Sequence, residues 1–210
     1  MTLDERRERE KQERRESILD SAETCFFNKG YERTSMDEIA RNAHLSRALL
    51  YVYFKDKAAI MRGIMLRAGH SLLERFRAAQ VAGTNGRQQM QEIGWAYYRF
   101  GLERPDYFDV LTNASTFAHL ADPDDLSQEL ACCSELAMAC MVESLQLGVS
   151  DGSLSAERVG DALQAAYYLR GALHGVIMQS RQDSAGLPNQ PEPEKLIGYT
   201  IEMLTQSLRG

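Results

Sequence analysis

The sequence is poor in the signals of most catalytic and secreted classes. Its 210 residues hold four cysteines, Cys25, Cys132, Cys133 and Cys140. Their spacing gives neither a disulfide framework nor a paired-cysteine metal knuckle, so a reducing cytoplasm is the expected setting. No apolar run approaches the ~20 residues of a membrane span, and the densely charged start is unlike a secretory signal. Strand-period alternation is absent, which leaves an all-α class. There is no GxSxG, no HExxH and no glycine-rich loop for phosphates. His44, His70, His119 and His174 form no ligand-spaced set. Asp122, Asp124 and Asp125 cluster where a helix begins, and capping alone explains acids there. No catalytic residue, metal or cofactor is therefore expected, and no membrane partner. Two other classes stay open beside the reading below. One is a helical-bundle hydrolase, which needs a perturbed acid or nucleophile in the second part. The other is a purely structural helical dimer.

Apolar residues make up 44% of the chain, enough for a sizeable core, and the net charge of -6 is unevenly spread. Residues 1–62 carry 13 basic and 12 acidic side chains, a net of +1, and residues 63–210 carry 11 and 18, a net of -7. The acidity belongs to the second part. Arg33, Arg41, Arg47, Lys55 and Lys57 fall close together in the first, which is where a nucleic-acid face belongs. Asp4–Glu16 is a run of six acids and six bases. It reads either as an arm for a DNA groove or as a solvated extension of the first helix. Its balance favours the extension, with Glu5–Arg9 and Glu10–Arg14 as i,i+4 pairs. Ile18, Leu19, Ala22, Cys25 and Phe26 then keep helical spacing up to Gly30.

The stretch Thr34–Lys57 organises the rest. Ser35 caps one short helix, with Glu38 placed for a capping box. His44, Leu45 and Ser46 make a tight turn, and His44 is expected at positive φ. Ser46 caps a second helix from Arg47 to Tyr53, and Asp56 caps a third that runs from Lys57 to about Gln80. Leu45, Leu50 and Phe54 point inward, which leaves Arg47, Ala48, Leu49, Tyr51 and Tyr53 near the surface. This is helix-turn-helix grammar, with the second helix entering a major groove.

From Ile18 to about Ile64 the chain resembles the DNA-binding domain of the TetR family of transcriptional regulators. The residues that carry the resemblance are Gly30-Tyr31, Thr34-Ser35, Ile39-Ala40, Ala43, Leu45-Ser46, Leu50-Tyr51, Phe54-Lys55 and Lys57. The chain departs from the family pattern at His44, where the family usually has Gly, and at Ala48-Leu49, where it usually has Gly-Thr. Tyr53 stands where His is common. The resemblance implies that Thr34, Ser35, Tyr51, Tyr53 and Lys57 hold the phosphate backbone. Hydroxyls, a lysine and helix starts are also the groups that suit phosphate. Arg47 is expected to read bases, with Ala48 and Leu49 beside it.

The second part reads as helices throughout, over Arg87–Arg104, from Pro105, from Asp125 to about Leu147, over Ala156–Ser180 and over Lys195–Leu208. Residues 1–62 are thus expected to form the helix-turn-helix domain, and 63–210 a larger helical domain for ligand binding and dimerisation. Trp95, Tyr98, Phe117, Met138, Met141, Tyr167 and His174 are candidate ligand residues, because pockets between bundle helices are mostly apolar with few polar groups. A medium-sized, largely apolar or aromatic molecule is expected there; the same side chains also fit a plain core. Gly171 and Gly175 lie one turn apart, at ~1 kcal/mol each against alanine in a helix. Close approach of a second helix explains that cost, either within the chain or from another copy. The resemblance implies a homodimer through the last two helices, with Gly171, Gly175, Ile197, Ile201 and Leu204 at the interface. The expected partners are an operator in double-stranded DNA and a small effector, and the expected role is repression released by that effector. The cysteines are expected to be small packing residues rather than a thiol sensor, since no base lies near Cys132–Cys140 in sequence.

Overall fold

The computed structural model describes residues 2–112, 125–182 and 191–210. Among the described residues all regular structure is helical: α1 Leu3–Lys29, α2 Met36–Asn42, α3 Arg47–Tyr53, α4 Lys57–Ala82, α5 Gly86–Glu103, α6 Pro105–Thr112, α7 Asp125–Ser150, α8 Ala156–Val159, α9 Ala162–Gln182 and α10 Pro193–Gln206. Two compact units divide the chain, one of Met1–Ala68 with Asp109–Leu130, the other of Gly69–Phe108 with Ala131–Gly210.

In the first unit, α1 opens with Thr2 and Glu5 closing a capping box. Its first turns are a solvated extension, exposed on every side through Arg14. The ion pairs differ from the expected ones: Arg6 reaches Glu10 at 2.8 Å and Arg9 reaches Glu13 at 2.9 Å, because Glu5 is taken by the cap. Further along, Ile18, Leu19, Ala22, Cys25 and Phe26 are buried. Each large apolar side chain so buried contributes roughly 1.5–3 kcal/mol. Antiparallel to them runs the start of α4, whose Ile60, Met61 and Ile64 are buried. A Cβ at Gly63 would come within 2.9 Å of Leu19 Cδ2, so this packing needs glycine or a shift of Leu19. Arg67 ties the same two helices, donating to Glu16, to Asp20 at 2.8 Å and to Glu23 at 3.0 Å.

The turn between α2 and α3 follows from hydrogen-bond accounting. His44 has φ +55. That conformation lets Leu45 N–H reach Ala40 O at 2.8 Å and His44 N–H reach Arg41 O at 3.1 Å, the paired bonds of a Schellman cap. Ser35 Oγ accepts from Glu38 N–H at 3.3 Å, Ser46 Oγ from Leu49 N–H at 3.2 Å, and Asp56 Oδ1 from Ala59 N–H at 2.7 Å. The expected capping box at Ser35 forms only in half, since the Glu38 carboxylate takes the Lys29 ammonium instead. That ion contact holds Glu38 below the usual carboxylate range.

In the second unit α5, α9 and α10 pack together. Asp151 Oδ2 accepts from Gly86 N–H at 2.8 Å, and Ser153 Oγ from Arg87 N–H at 3.1 Å, which fastens the end of α7 over the start of α5. The backbones touch there: a Cβ on Gly86 would sit 2.0 Å from Gly148 N. The expected single helix over 156–180 is broken. Gly160 takes φ +56, ends α8, and hands over to Asp161, whose Oδ1 caps α9 through Gln164 N–H at 2.8 Å. Among the described helices, α7 is long and apolar enough to cross a membrane by length and composition. Cys133, Met138, Cys140, Met141 and Leu145 on it are buried in the protein. The breaks expected at Asp122–Asp124 and through most of Asp183–Pro193 lie outside the described residues.

Candidate nucleic-acid interface

The helix α3 has seven residues and buries one of them, Leu50. A helix anchored at so few points is held by its ends, by the Ser46 cap and by Phe54, which is 2% exposed. Arg47, Ala48, Leu49, Tyr51 and Val52 are exposed, and Tyr53 is half-buried. Val52, 76% exposed, belongs to this face and is not evident from the sequence, where a β-branched apolar residue reads as packing. Arg47 Nη1 lies 3.1 Å from Asp37 of α2, and its guanidinium stacks over the Tyr51 ring at 5.6 Å. On α3 the structure thus presents Arg47, Ala48 and Leu49 in the first turn and Tyr51 and Tyr53 in the last, with Ser35 at the start of the adjoining α2.

Thr34 and Lys57 are placed differently from the phosphate-holding role expected of them. Thr34 is 3% exposed, and its hydroxyl donates to Gly30 O at 2.9 Å and Cys25 O at 3.3 Å. Lys57 Nζ donates to Tyr31 O at 2.8 Å, Thr34 O at 3.1 Å and Glu32 O at 3.4 Å, and lies 4.2 Å from the Tyr31 ring centre. An ammonium has three N–H groups, and these carbonyls use them. Both residues are framework: they fasten the corner between α1 and α2 to the start of α4.

The second unit holds an open apolar cleft with an empty volume, mouth included, of about 420 Å³. Phe76 of α4, Met90, Ile93, Gly94 and Tyr97 of α5, Met141 of α7, Leu169, Arg170 and Leu173 of α9, and Ile201, Leu204 and Thr205 of α10 line it. Of the expected ligand residues, only Met141 is in this wall. His174 stands behind it, with Nδ1 2.9 Å from Tyr97 Oη. Trp95 packs instead on Gly198, 3.3 Å from where a Cβ would be, Tyr98 is buried beside Trp95, and Met138 is buried. Tyr167 is exposed, and Phe117 lies outside the described residues. Burial pushes the Tyr97 phenol up to about 12, and burial with the Arg170 charge pulls the His174 imidazole below its usual value.

Two family descriptions match this chain. Residues 18–64 match "Bacterial regulatory proteins, tetR family", and residues 90–204 match "Tetracyclin repressor-like, C-terminal domain". The chain belongs to the TetR family. It is therefore a helix-turn-helix, DNA-binding regulator of transcription. Among TetR-family relatives, it is 32% identical to the transcriptional activator FasR of Mycolicibacterium smegmatis over 88 residues, 42% of this chain and 40% of FasR. It is 39% identical to the negative regulator IcaR of Staphylococcus aureus over 46 residues, 22% of this chain and 25% of IcaR. The chain thus spans well under half the length of these relatives. The solved structure of the TetR-family regulator PfmR from Thermus thermophilus has the same fold, with a TM-score of 0.68 at 22% identity, covering 92% of this chain and 99% of PfmR.

In this TetR-family chain the residues expected at a dimer interface fall into two groups. A Cβ at Gly171 or Gly175 would meet nothing within 4 Å among the described residues, so packing against those does not account for these glycines. Ile197 is 0% and Ile201 4% exposed, so they are core residues of their own chain, and Leu204 lines the cleft. The exposed apolar residues of α9 and α10 are Leu163, Tyr167, Tyr168, Tyr199 and Met203. Burial raises the thiols of Cys25, Cys133 and Cys140 above their usual value, which disfavours the reactive thiolate.

Proposed function

We propose that the chain is a cytoplasmic homodimer that represses transcription from a palindromic operator and leaves it when a small, largely apolar or aromatic effector enters the second unit. The observation that carries this is the exposed face of α3, with Arg47, Ala48, Leu49, Tyr51 and Val52 clear of the core. Arg47 reads a base edge, and an arginine pairs bidentately with guanine. Ser35, at the start of α2, and Tyr51 and Tyr53, in the last turn of α3, hold phosphates beside it.

One recognition helix reads too few bases to be selective, so two copies related by a two-fold axis suit the task. Gly171, Gly175, Tyr167, Tyr199 and Met203 form the face proposed to meet the second copy. The relatives include both signs of regulation, and IcaR's is negative. Coupling between effector and DNA is argued from α4, 26 residues in one helix, which supplies residues to both units. An effector that tilts it changes the separation of two recognition helices, for which the groove wants ~34 Å. A few ångströms of error loses one half-site. Selection of bound sequences from random DNA, followed by a small-molecule screen for loss of that complex, tests the proposal. A protein that enriches no sequence, or whose complex no compound dissolves, contradicts it.

A further inference from the structure

The apolar cleft carries one formal charge. Its walls are aliphatic and aromatic except for Tyr97, Arg170 and Thr205. The hydroxyl of Thr205 is already used, donating to Ile201 O at 2.9 Å. The phenol of Tyr97 is engaged with His174 at 2.9 Å. Arg170 differs. Its guanidinium lies over the Tyr167 ring at 4.9 Å and pairs with no carboxylate among the described residues. Arg170 is exposed where the cleft opens to solvent, and a cation with five donors there, paired with no anion among the described residues, is a site for one.

We propose that the effector is an organic acid, with an apolar body against Met90, Ile93, Met141 and Leu173 and a carboxylate held by Arg170. This rests on the reading that the cleft is where the effector binds. The chemistry argues against the alternatives. A sugar or nucleotide brings hydroxyls that such walls leave without partners. A cationic ligand would meet Arg170 with like charge. A neutral apolar molecule fits the walls but leaves the guanidinium unused. Methionine at two positions of the wall lets the cleft reshape around chains of different outline. Arginine suits a carboxylate better than lysine does, because its fork makes two parallel bonds.

The test uses two probes that differ only at the head group, decanoate and decan-1-ol, titrated calorimetrically into the full chain. Decanoate should bind wild type about tenfold to a hundredfold more tightly than decanol, the range of a charge-assisted bond. R170Q should erase that preference while the melting temperature holds, and R170K should keep part of it. Equal binding of acid and alcohol by wild type, or an unchanged preference in R170Q, overturns the acid assignment and leaves the cleft reading standing. Failure of both probes to bind overturns the two together.

Discussion

Asp37 of α2 and Arg47 of α3 meet across the helix-turn-helix at 3.1 Å, both side chains at least half exposed. The carboxylate holds Nη1 of a guanidinium that also lies over the Tyr51 ring. Arg47→Ala should cost ~1–3 kcal/mol of operator binding and relax preference at one position per half-site. Asp37→Ala should leave stability within ~0.5 kcal/mol, as an exposed pair does. It should also loosen discrimination at the same base pair while raising affinity for unrelated DNA. Competition binding against a panel of single-base operator variants reads both effects. Uniform weakening across the panel would make Arg47 a phosphate contact.

Lys57 gives its donors to three backbone carbonyls. Lys57→Gln should therefore lower stability by ~1–3 kcal/mol, the cost of leaving such acceptors unmet, and weaken all DNA sequences alike. The slope of binding against salt should stay as in wild type. A slope flatter by about one unit would mean that Lys57 neutralises a phosphate after all.

His44 sits at φ +55. Outside glycine, that region costs ~1–2 kcal/mol. His44→Gly should be neutral, or stabilising by up to ~1 kcal/mol, in urea unfolding. A clear loss would show that the imidazole ring itself makes a stabilising contact.

The Tyr97–His174 pair gives a pH signature. His174 titrates below its ordinary value of about 6.5 because of burial first and Arg170 second. Just below that pH the unfolded chain binds more protons than the folded one, so stability rises with pH. The contribution is full above about 6.5 and is lost as pH falls toward the folded value. Urea midpoints should therefore drop more steeply on acidification in wild type than in His174→Gln. Parallel curves would place the imidazole in water.

The helix-turn-helix is legible in the sequence because its signals are local. Ser35, Ser46 and Asp56 each cap within three residues, and the Schellman turn at His44 is a matter of chain geometry. What escapes a reading of the sequence depends on partners distant along the chain. Nothing near Lys57 announces that its targets are Tyr31, Glu32 and Thr34. The phase of α10 is ambiguous, and Ile197 and Ile201 face inward against expectation, because Tyr199 and Met203 make the other face apolar too. Tyr97 and Tyr98 are neighbours on α5, yet only Tyr97 lines the cleft. Adjacent helical residues point ~100° apart, and a helix rich in aromatics does not say which direction holds the cleft. The break at Gly160 is hidden because a glycine inside a helical pattern carries no sign of its φ.

The central claim is that the exposed face of α3, presented twice, reads a palindrome. Selection from a random DNA pool by the full chain, in parallel with Arg47→Ala, tests it most directly. Wild type should enrich a two-fold symmetric sequence with half-site centres ~34 Å, about one helical turn, or a multiple apart, and Arg47→Ala should lose one base preference in each half. Enrichment of an asymmetric single site, or identical preferences from both proteins, would contradict it.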